Sequence, residues 1–151
     1  MSPAQRLALE KWDALCLDMV EASAKPEEVL EMFNSSPFAS MSEEAAGKKY
    51  VELCGDLYDL CDFLDILDND TDYGGWAKAL ELVSNGQGAE RLYNSARSNA
   101  LQARVVKKRL DLAADIEGVQ EALKMSEGGS EVEIMCVRKL ATFYGYEESQ
   151  A

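Results

Sequence analysis

The sequence feature that most constrains the fold is an apolar stripe in the middle of the chain. Apolar side chains recur there every three or four residues, at Tyr50, Leu53, Cys54, Leu57, Leu60, Cys61, Leu64 and Leu67. Only an α-helix places residues with this spacing on one face, because it has about 3.6 residues per turn. Ser40 and Glu43 have the spacing of a capping box just before the stripe. The pattern therefore predicts one long helix over residues 42–67.

Residues 3–24 form another predicted long helix. Ser2 is a favourable cap, and Pro3 suits the first helical position because its missing N–H would have no helical partner there. The apolar side chains of this helix follow the same three-and-four spacing, so we expect them to face the core. They are Ala8, Trp12, Leu15, Cys16, Met19 and Val20.

The last predicted long helix covers residues 89–126, a stretch without proline. A helix of this length is rarely straight, and Gly118 is the expected position of a bend. Its apolar residues form two seams, one through Leu92 and Val106 and the other through Val105 and Ile116. Both seams need a covering surface, either elsewhere in the chain or in a second subunit.

No segment alternates apolar and polar residues with the period of a strand, and no internal repeat is expected. The sequence therefore predicts an all-α fold, a bundle of about six helices. Three helices are long (3–24, 42–67 and 89–126) and three are short, in a single acidic domain over residues 1–151. The alternative is that a homodimer completes the bundle.

The absence of histidine excludes several kinds of active site. Ser–His and Cys–His nucleophile pairs both require an imidazole. The four cysteines, Cys16, Cys54, Cys61 and Cys136, form no Cys-x-x-Cys pair, so a zinc site is not expected. We expect them to be reduced, buried thiols in a cytoplasmic protein. No apolar run reaches the roughly 20 residues of a transmembrane helix, so no membrane contact is expected.

Charge is distributed unevenly along the chain. Residues 1–90 contain 19 acidic and 6 basic side chains, whereas residues 91–151 contain 9 of each. Six of the bases lie within residues 91–110, where no acid occurs. Either this basic segment pairs internally with the acidic segment 42–67, or the acidic half docks a basic protein. Nucleic acid is not expected as a partner, because a net charge of −13 opposes approach to a polyanion.

Two acidic motifs resemble part of a known enzyme family. A Glu27-Glu28-x-x-Glu31 motif is followed, on another predicted helix, by Glu52-x-x-x-Asp56. Over about 30 residues this resembles the MazG-type nucleoside triphosphate pyrophosphohydrolases and the dimeric dUTPases. The resemblance implies that these five carboxylates bind Mg²⁺. The second motif departs from the family's pattern, because its acids are four residues apart instead of three; Asp59, three residues after Asp56, would restore the spacing.

The segment Asp68-Asn-Asp70-Thr-Asp72 resembles the start of an EF-hand loop. Its alternating aspartates would offer oxygen ligands to Ca²⁺. The pattern departs at Tyr73, where an EF-hand has glycine, and at Ala79, where it has glutamate. The alternative is an ordinary interhelical turn, which Asp, Asn and Gly also favour.

Since neither metal motif is complete, our leading hypothesis is a non-enzymatic protein-binding module of the inhibitor, immunity, chaperone or viral accessory type. Its acidic amino-terminal half would dock a partner protein that has a basic surface. The residues expected at this surface are Glu52, Asp56, Asp59, Asp62 and Phe63. This hypothesis requires no cofactor, whereas the two alternatives require Mg²⁺ or Ca²⁺.

Thermal melting distinguishes the three hypotheses. A ligand that binds only the native state raises the melting temperature, because it stabilises that state alone. For a protein-binding module we expect no change in millimolar magnesium with nucleoside triphosphates, or in millimolar calcium, measured by differential scanning fluorimetry. A rise of several degrees with magnesium and nucleotide would instead support the hydrolase, and a rise with calcium alone would assign a site to residues 68–72.

Overall fold

The computed structural model describes residues 1–67 and 71–145, which form nine helices and no strand. The helices are α1 (Pro3–Ala22), α2 (Pro26–Ser35), α3 (Met41–Leu53), α4 (Leu57–Ile66), α5 (Gly75–Leu82), α6 (Gly86–Ser95), α7 (Asn99–Leu112), α8 (Ile116–Met125) and α9 (Glu131–Phe143). The prediction of an all-α protein is confirmed. None of the helices in these ranges has both the length and the apolarity needed to cross a membrane.

Two of the three predicted long helices are wrong, because capping residues divide them. The segment 42–67 forms α3 and α4, and the segment 89–126 falls within α6, α7 and α8. At the breaks, the side chains of Asp56, Ser98 and Asp115 each accept a hydrogen bond from the backbone N–H three residues later. Such a bond satisfies a donor that has no helical partner, so a new helix begins without a proline.

Other helix starts agree with the sequence. Ser2, Ser40 and Ser130 each accept a hydrogen bond from the N–H of the third residue after them. The helix predicted over 3–24 is confirmed to within two residues as α1. Gly118 does not mark a bend, because its N–H is the one that binds the cap of α8.

The helices repeat along the chain, which corrects the expectation of no internal repeat. Each unit is a short helix followed by a second helix. The short helices α2, α4, α6 and α8 follow caps at Lys25, Asp56, Asn85 and Asp115, so the units begin 31, 29 and 30 residues apart. The fourth residue after each cap is fully buried, and these residues are Val29, Leu60, Ala89 and Val119. The residue at this position is always aliphatic, but its size differs from unit to unit. The amino-acid sequences of the units are therefore not visibly similar.

The units stack side by side in two layers. We call α2, α4, α6 and α8 the first layer, and α1, α3, α5, α7 and α9 the second layer. The helices of one unit pack against each other. Contacts between units join α4 to α6 and α7 to both α8 and α9, while α1 packs against α2 and α3 of the first unit. Buried side chains form one cluster from Val20 to Val105 and another from Val106 to Cys136, with Tyr93 packed against both. This is the architecture of a helical repeat protein, in which units contact mainly their neighbours.

Lysine side chains join neighbouring units at the ends of the second-layer helices. The Nζ atom of Lys49 lies 2.7 Å from the carbonyl oxygen of Val20 and 3.1 Å from that of Glu21, at the end of α1. Lys78 donates in the same way at the end of α3, and Lys139 at the end of α7. A cation there satisfies carbonyls that have no helical partner and interacts favourably with the helix dipole. These bonds join α3 to α1, α5 to α3 and α9 to α7.

The predicted apolar stripe of α1 is only partly in the core. Cys16 and Val20 are buried, whereas Ala8, Trp12, Leu15 and Met19 are exposed. The reason is that α1 packs against α2 and α3 only on its buried side, and no described helix covers the other. The seams of segment 89–126, by contrast, are largely covered within the chain, because division into three helices buries residues such as Val105 and Val106 in the two clusters. Leu112 of the second seam remains 41% exposed.

Replacement of Lys49 tests the role of these lysines. We expect Lys49→Met to lower the free energy of unfolding by about 1–2 kcal/mol, because two carbonyl groups at the end of α1 lose a charged donor. The neighbouring Lys48 is the matched control, since it is exposed and pairs with Glu44 on its own helix. Lys48→Met should change the free energy by less than about 0.5 kcal/mol. Urea unfolding followed by circular dichroism measures both; equal effects would contradict the role of Lys49.

Candidate functional site

A groove opens between the first two helices of the first layer. α2 and α4 meet where the ring of Phe33 packs edge-on against Phe63, with ring centroids 5.1 Å apart. Beside this contact, the groove has a volume of about 510 Å³ and is open to solvent. We call it the acidic groove. Its lining residues are Pro26, Glu27, Leu30, Tyr50, Cys54, Gly55, Asp56, Asp59, Asp62, Phe63 and Ile66.

The apolar part of the acidic groove comes from three helices. Tyr50, Cys54 and Phe63 are buried and form its base, with the rings of Tyr50 and Phe63 4.6 Å apart. Leu30 of α2 is half-buried, while Ile66 of α4 is 63% exposed. The groove therefore presents apolar surface to solvent beside a well-packed core.

Four carboxylates surround this apolar surface, and all are exposed. Asp56 is the N-cap residue of α4, and its Oδ1 accepts a hydrogen bond of 2.9 Å from the Asp59 N–H. Asp62 pairs with Arg91 of α6 at 2.7 Å. Within the described part of the chain, no Lys or Arg lies within ion-pair distance of Glu27 or Asp59. These two acids therefore leave the groove with uncompensated negative charge.

The phenol of Tyr50 lies at the base of the groove and keeps its proton. Burial raises the pKa of this hydroxyl well above its usual range, and the neighbouring Cys54 and the negative charges of Asp59 and Asp62 raise it further. At neutral pH, Tyr50 is therefore a neutral hydrogen-bonding group and offers no anionic oxygen to a ligand.

The structure brings together four of the five residues expected at a partner surface. Asp56, Asp59, Asp62 and Phe63 all line the acidic groove. Phe63 is only 2% exposed, so most of its side chain belongs to the core. Glu52 does not line the groove; it is exposed near the end of α3, where its carbonyl accepts a hydrogen bond from Lys78.

The residues that sequence reasoning missed lie on α2 and α3. Glu27 and Leu30 line the acidic groove, and Tyr50 forms its base. The sequence predicts Glu27 only as a metal ligand and Tyr50 only as part of the core. The spacing of apolar residues places each of them on its own helix, but it does not show that α2 and α4 lie side by side.

The carboxylates of the hydrolase motif do not gather around one point. The described residues contain no group of three or more acidic or cysteine side chains that could hold a metal ion. Glu27 and Asp56 share the acidic groove, whereas Glu28, Glu31 and Glu52 do not line it. The convergence that a pyrophosphohydrolase requires is therefore absent from this part of the chain.

The predicted calcium loop lies partly outside the described residues, since these do not include Asp68 and Asp70. Asp72 takes part in a local turn, where its Oδ1 accepts a hydrogen bond of 3.1 Å from the Gly74 N–H. Tyr73, at the position where an EF-hand has glycine, adopts a positive φ of 53°. The ring of Tyr73 packs against Phe33, which ties this turn to the core.

Comparisons with known proteins do not assign a family. No family model matches the chain, and neither a curated protein nor a solved structure matches it.

Alkaline unfolding tests the environment of Tyr50. Its raised pKa means that the folded state holds the proton while the unfolded chain releases it near pH 10. The contribution of the Tyr50 phenol to the free energy of unfolding is therefore fully present below pH 10 and is lost as the pH rises further. We expect Tyr50→Phe to flatten the fall in unfolding free energy between about pH 10 and 11 by roughly 1 kcal/mol. Tyr58→Phe, at an exposed position on α4, is the control. Parallel pH profiles for Tyr50→Phe and wild type, from urea unfolding, would contradict burial of the phenol.

Proposed function

We propose that this chain is a helical-repeat protein-binding module, and that its acidic groove binds a basic, amphipathic segment of a partner protein. The observation that supports this most directly is the combination of uncompensated carboxylates with exposed apolar surface in one groove. Neither feature alone would be informative, because single exposed acids and single exposed apolar residues are common on protein surfaces.

The charge of the groove favours a cationic ligand. Glu27 and Asp59 face the same groove from two different helices. Both would attract a lysine or arginine of a partner to the groove, and the net charge of −13 would accelerate the approach of a basic partner. The four free, buried cysteines further support a reducing, cytoplasmic setting for this interaction.

The apolar surface of the groove favours a ligand with an apolar face. Leu30 and Ile66 present aliphatic surface between the carboxylates. An amphipathic helix can place leucines on this surface and lysines against the acids, which is how helices bind in grooves of other proteins. Four carboxylates line a groove of only about 510 Å³. This small, acidic space favours a short basic segment over a large apolar ligand.

Charge reversal at neighbouring residues tests this proposal. The probe is a synthetic amphipathic helix of leucine and lysine with a fluorescent label, and binding is measured by fluorescence anisotropy. We expect Glu27→Lys to weaken binding about tenfold, because the partner's cation then faces a like charge. Glu28→Lys is the matched control, since Glu28 lies in the same helical turn but does not line the groove. Its effect should be less than about threefold.

Two further observations make the test specific. Increasing salt should weaken peptide binding by the wild type more than by Glu27→Lys. The variant lacks the attraction between Glu27 and a lysine of the peptide, which salt screens in the wild type. Ile66→Ser should also weaken binding several-fold, whereas Ile134→Ser, at an exposed isoleucine on α9, should not. Equal losses for Glu27→Lys and Glu28→Lys would show that the peptide responds to net charge alone, and the groove would be rejected as its site.

A further inference from the structure

The exposed side of α1 carries a row of apolar side chains. Trp12 is 47% exposed, Leu15 64% and Met19 54%, and Ala8 extends the row by another turn. The spacing of Ala8, Trp12, Leu15 and Met19 is four, three and four residues, which is the spacing of the a and d positions in a coiled coil. Single exposed apolar residues are ordinary, but a continuous row on one helix indicates an interaction surface.

The repeat shows that the part of this row formed by Leu15 and Met19 belongs to a face that is covered in the next unit. Lys49 binds carbonyls of α1 in the way that Lys78 binds those of α3, and the pairing aligns Val20 with Val51. In the same alignment Trp12 corresponds to the half-buried Glu43, and Ala8 corresponds to Ala39, which precedes α3. Met19 corresponds to Tyr50, and Leu15 corresponds to Ala46. The two residues of α3 are buried in the core, 4% and 0% exposed. Among the described residues, no first-layer helix covers the equivalent face of α1.

Charged residues beside the row indicate what covers it. Lys11 directly precedes Trp12, and Asp18 directly precedes Met19, so both occupy the g position of consecutive heptads. Both are exposed. When two helices pair in antiparallel orientation, g positions face g positions across the seam, and charges there decide partner and orientation. Two copies of α1 would therefore place each Lys11 opposite the Asp18 of the other copy.

A parallel pair would not have this complementarity. In a parallel pair the g positions face e positions, and the e position between Leu15 and Met19 is Cys16. Cys16 is only 4% exposed, because it packs into the core of its own chain. Lys11 and Asp18 would then have no opposite charge across the seam.

We propose that α1 forms an antiparallel homodimer through the row of Ala8, Trp12, Leu15 and Met19, with two Lys11–Asp18 pairs between the subunits. The interface consists of one helix from each copy, so it is small and a dissociation constant in the micromolar range is expected. This proposal goes beyond the binding of a partner in the acidic groove, which lies between α2 and α4, and does not depend on it.

Sedimentation velocity of the full chain over a range of concentrations tests the dimer. We expect Leu15→Glu to raise the dissociation constant by about a hundredfold or more, because it places a charge in the apolar seam. Leu7→Glu is the matched control, since Leu7 is 52% exposed on the same helix but lies off the row. Its effect should be within about threefold. Circular dichroism verifies that both variants fold.

A charge exchange tests the antiparallel orientation. K11E and D18K each put like charges opposite each other in their homodimers, so each should weaken self-association about tenfold. In a mixed dimer of the two variants, opposite charges face each other at both ends of the seam. Mixing equal amounts should therefore restore dimers close to the wild-type level.

Sedimentation of the wild type as a monomer at about 200 μM, well above the expected dissociation constant, would overturn the dimer. Equal association of the Leu7→Glu and Leu15→Glu variants would show that the row is not the dimer interface. A mixture of K11E and D18K that remains monomeric would overturn the antiparallel pairing of Lys11 with Asp18. Binding of the labelled peptide to the Leu15→Glu monomer tests the acidic groove separately, so failure of one proposal is distinguishable from failure of the other.

Discussion

The structure depends on satisfying the ends of its many short helices. Each helix end leaves N–H or C=O groups without a helical partner, and nine helices in the described residues produce many such ends. At seven of the nine starts, a serine, aspartate or asparagine side chain accepts a backbone N–H. At several of the ends, a lysine or arginine of the following unit donates to the free carbonyls. The first set of bonds divides the chain into units, and the second set joins the units.

Similar bonds show how part of the basic segment, residues 91–110, packs in the fold. Arg91 of α6 pairs with Asp62 and Asp65 of α4, and Arg97 donates to carbonyl groups at the end of α4. These two arginines therefore support internal pairing between the basic and acidic segments, while Arg104 is exposed. This pairing does not extend to Glu27 and Asp59, which is why the acidic groove retains negative charge.

Stacking of units also explains where interaction surfaces arise. Adjacent helices of one layer leave grooves between them, and the acidic groove is one of these. Among the described residues, α1 packs against α2 and α3 alone, so one of its faces has no covering helix. α1 has apolar residues on this face, so the array has a surface that another helix can cover. The groove and the face of α1 follow from one architecture but differ in chemistry, since the first is acidic and the second is mainly apolar.

The sequence by itself determined the helical class, the position of α1 and the caps at Ser2, Ser40 and Ser130, because periodicity and capping are local. It also gave most of the acids of the groove. The breaks at Asp56, Ser98 and Asp115 were missed because each linker is short and apolar residues continue across it; Cys54 and Leu57, on either side of one linker, are both buried. Only the tertiary structure decided that α2 lies beside α4, and that Phe63 is core while Trp12 is exposed. Spacing along one helix fixes which side chains share a face, but the packing of distant helices decides whether that face is covered.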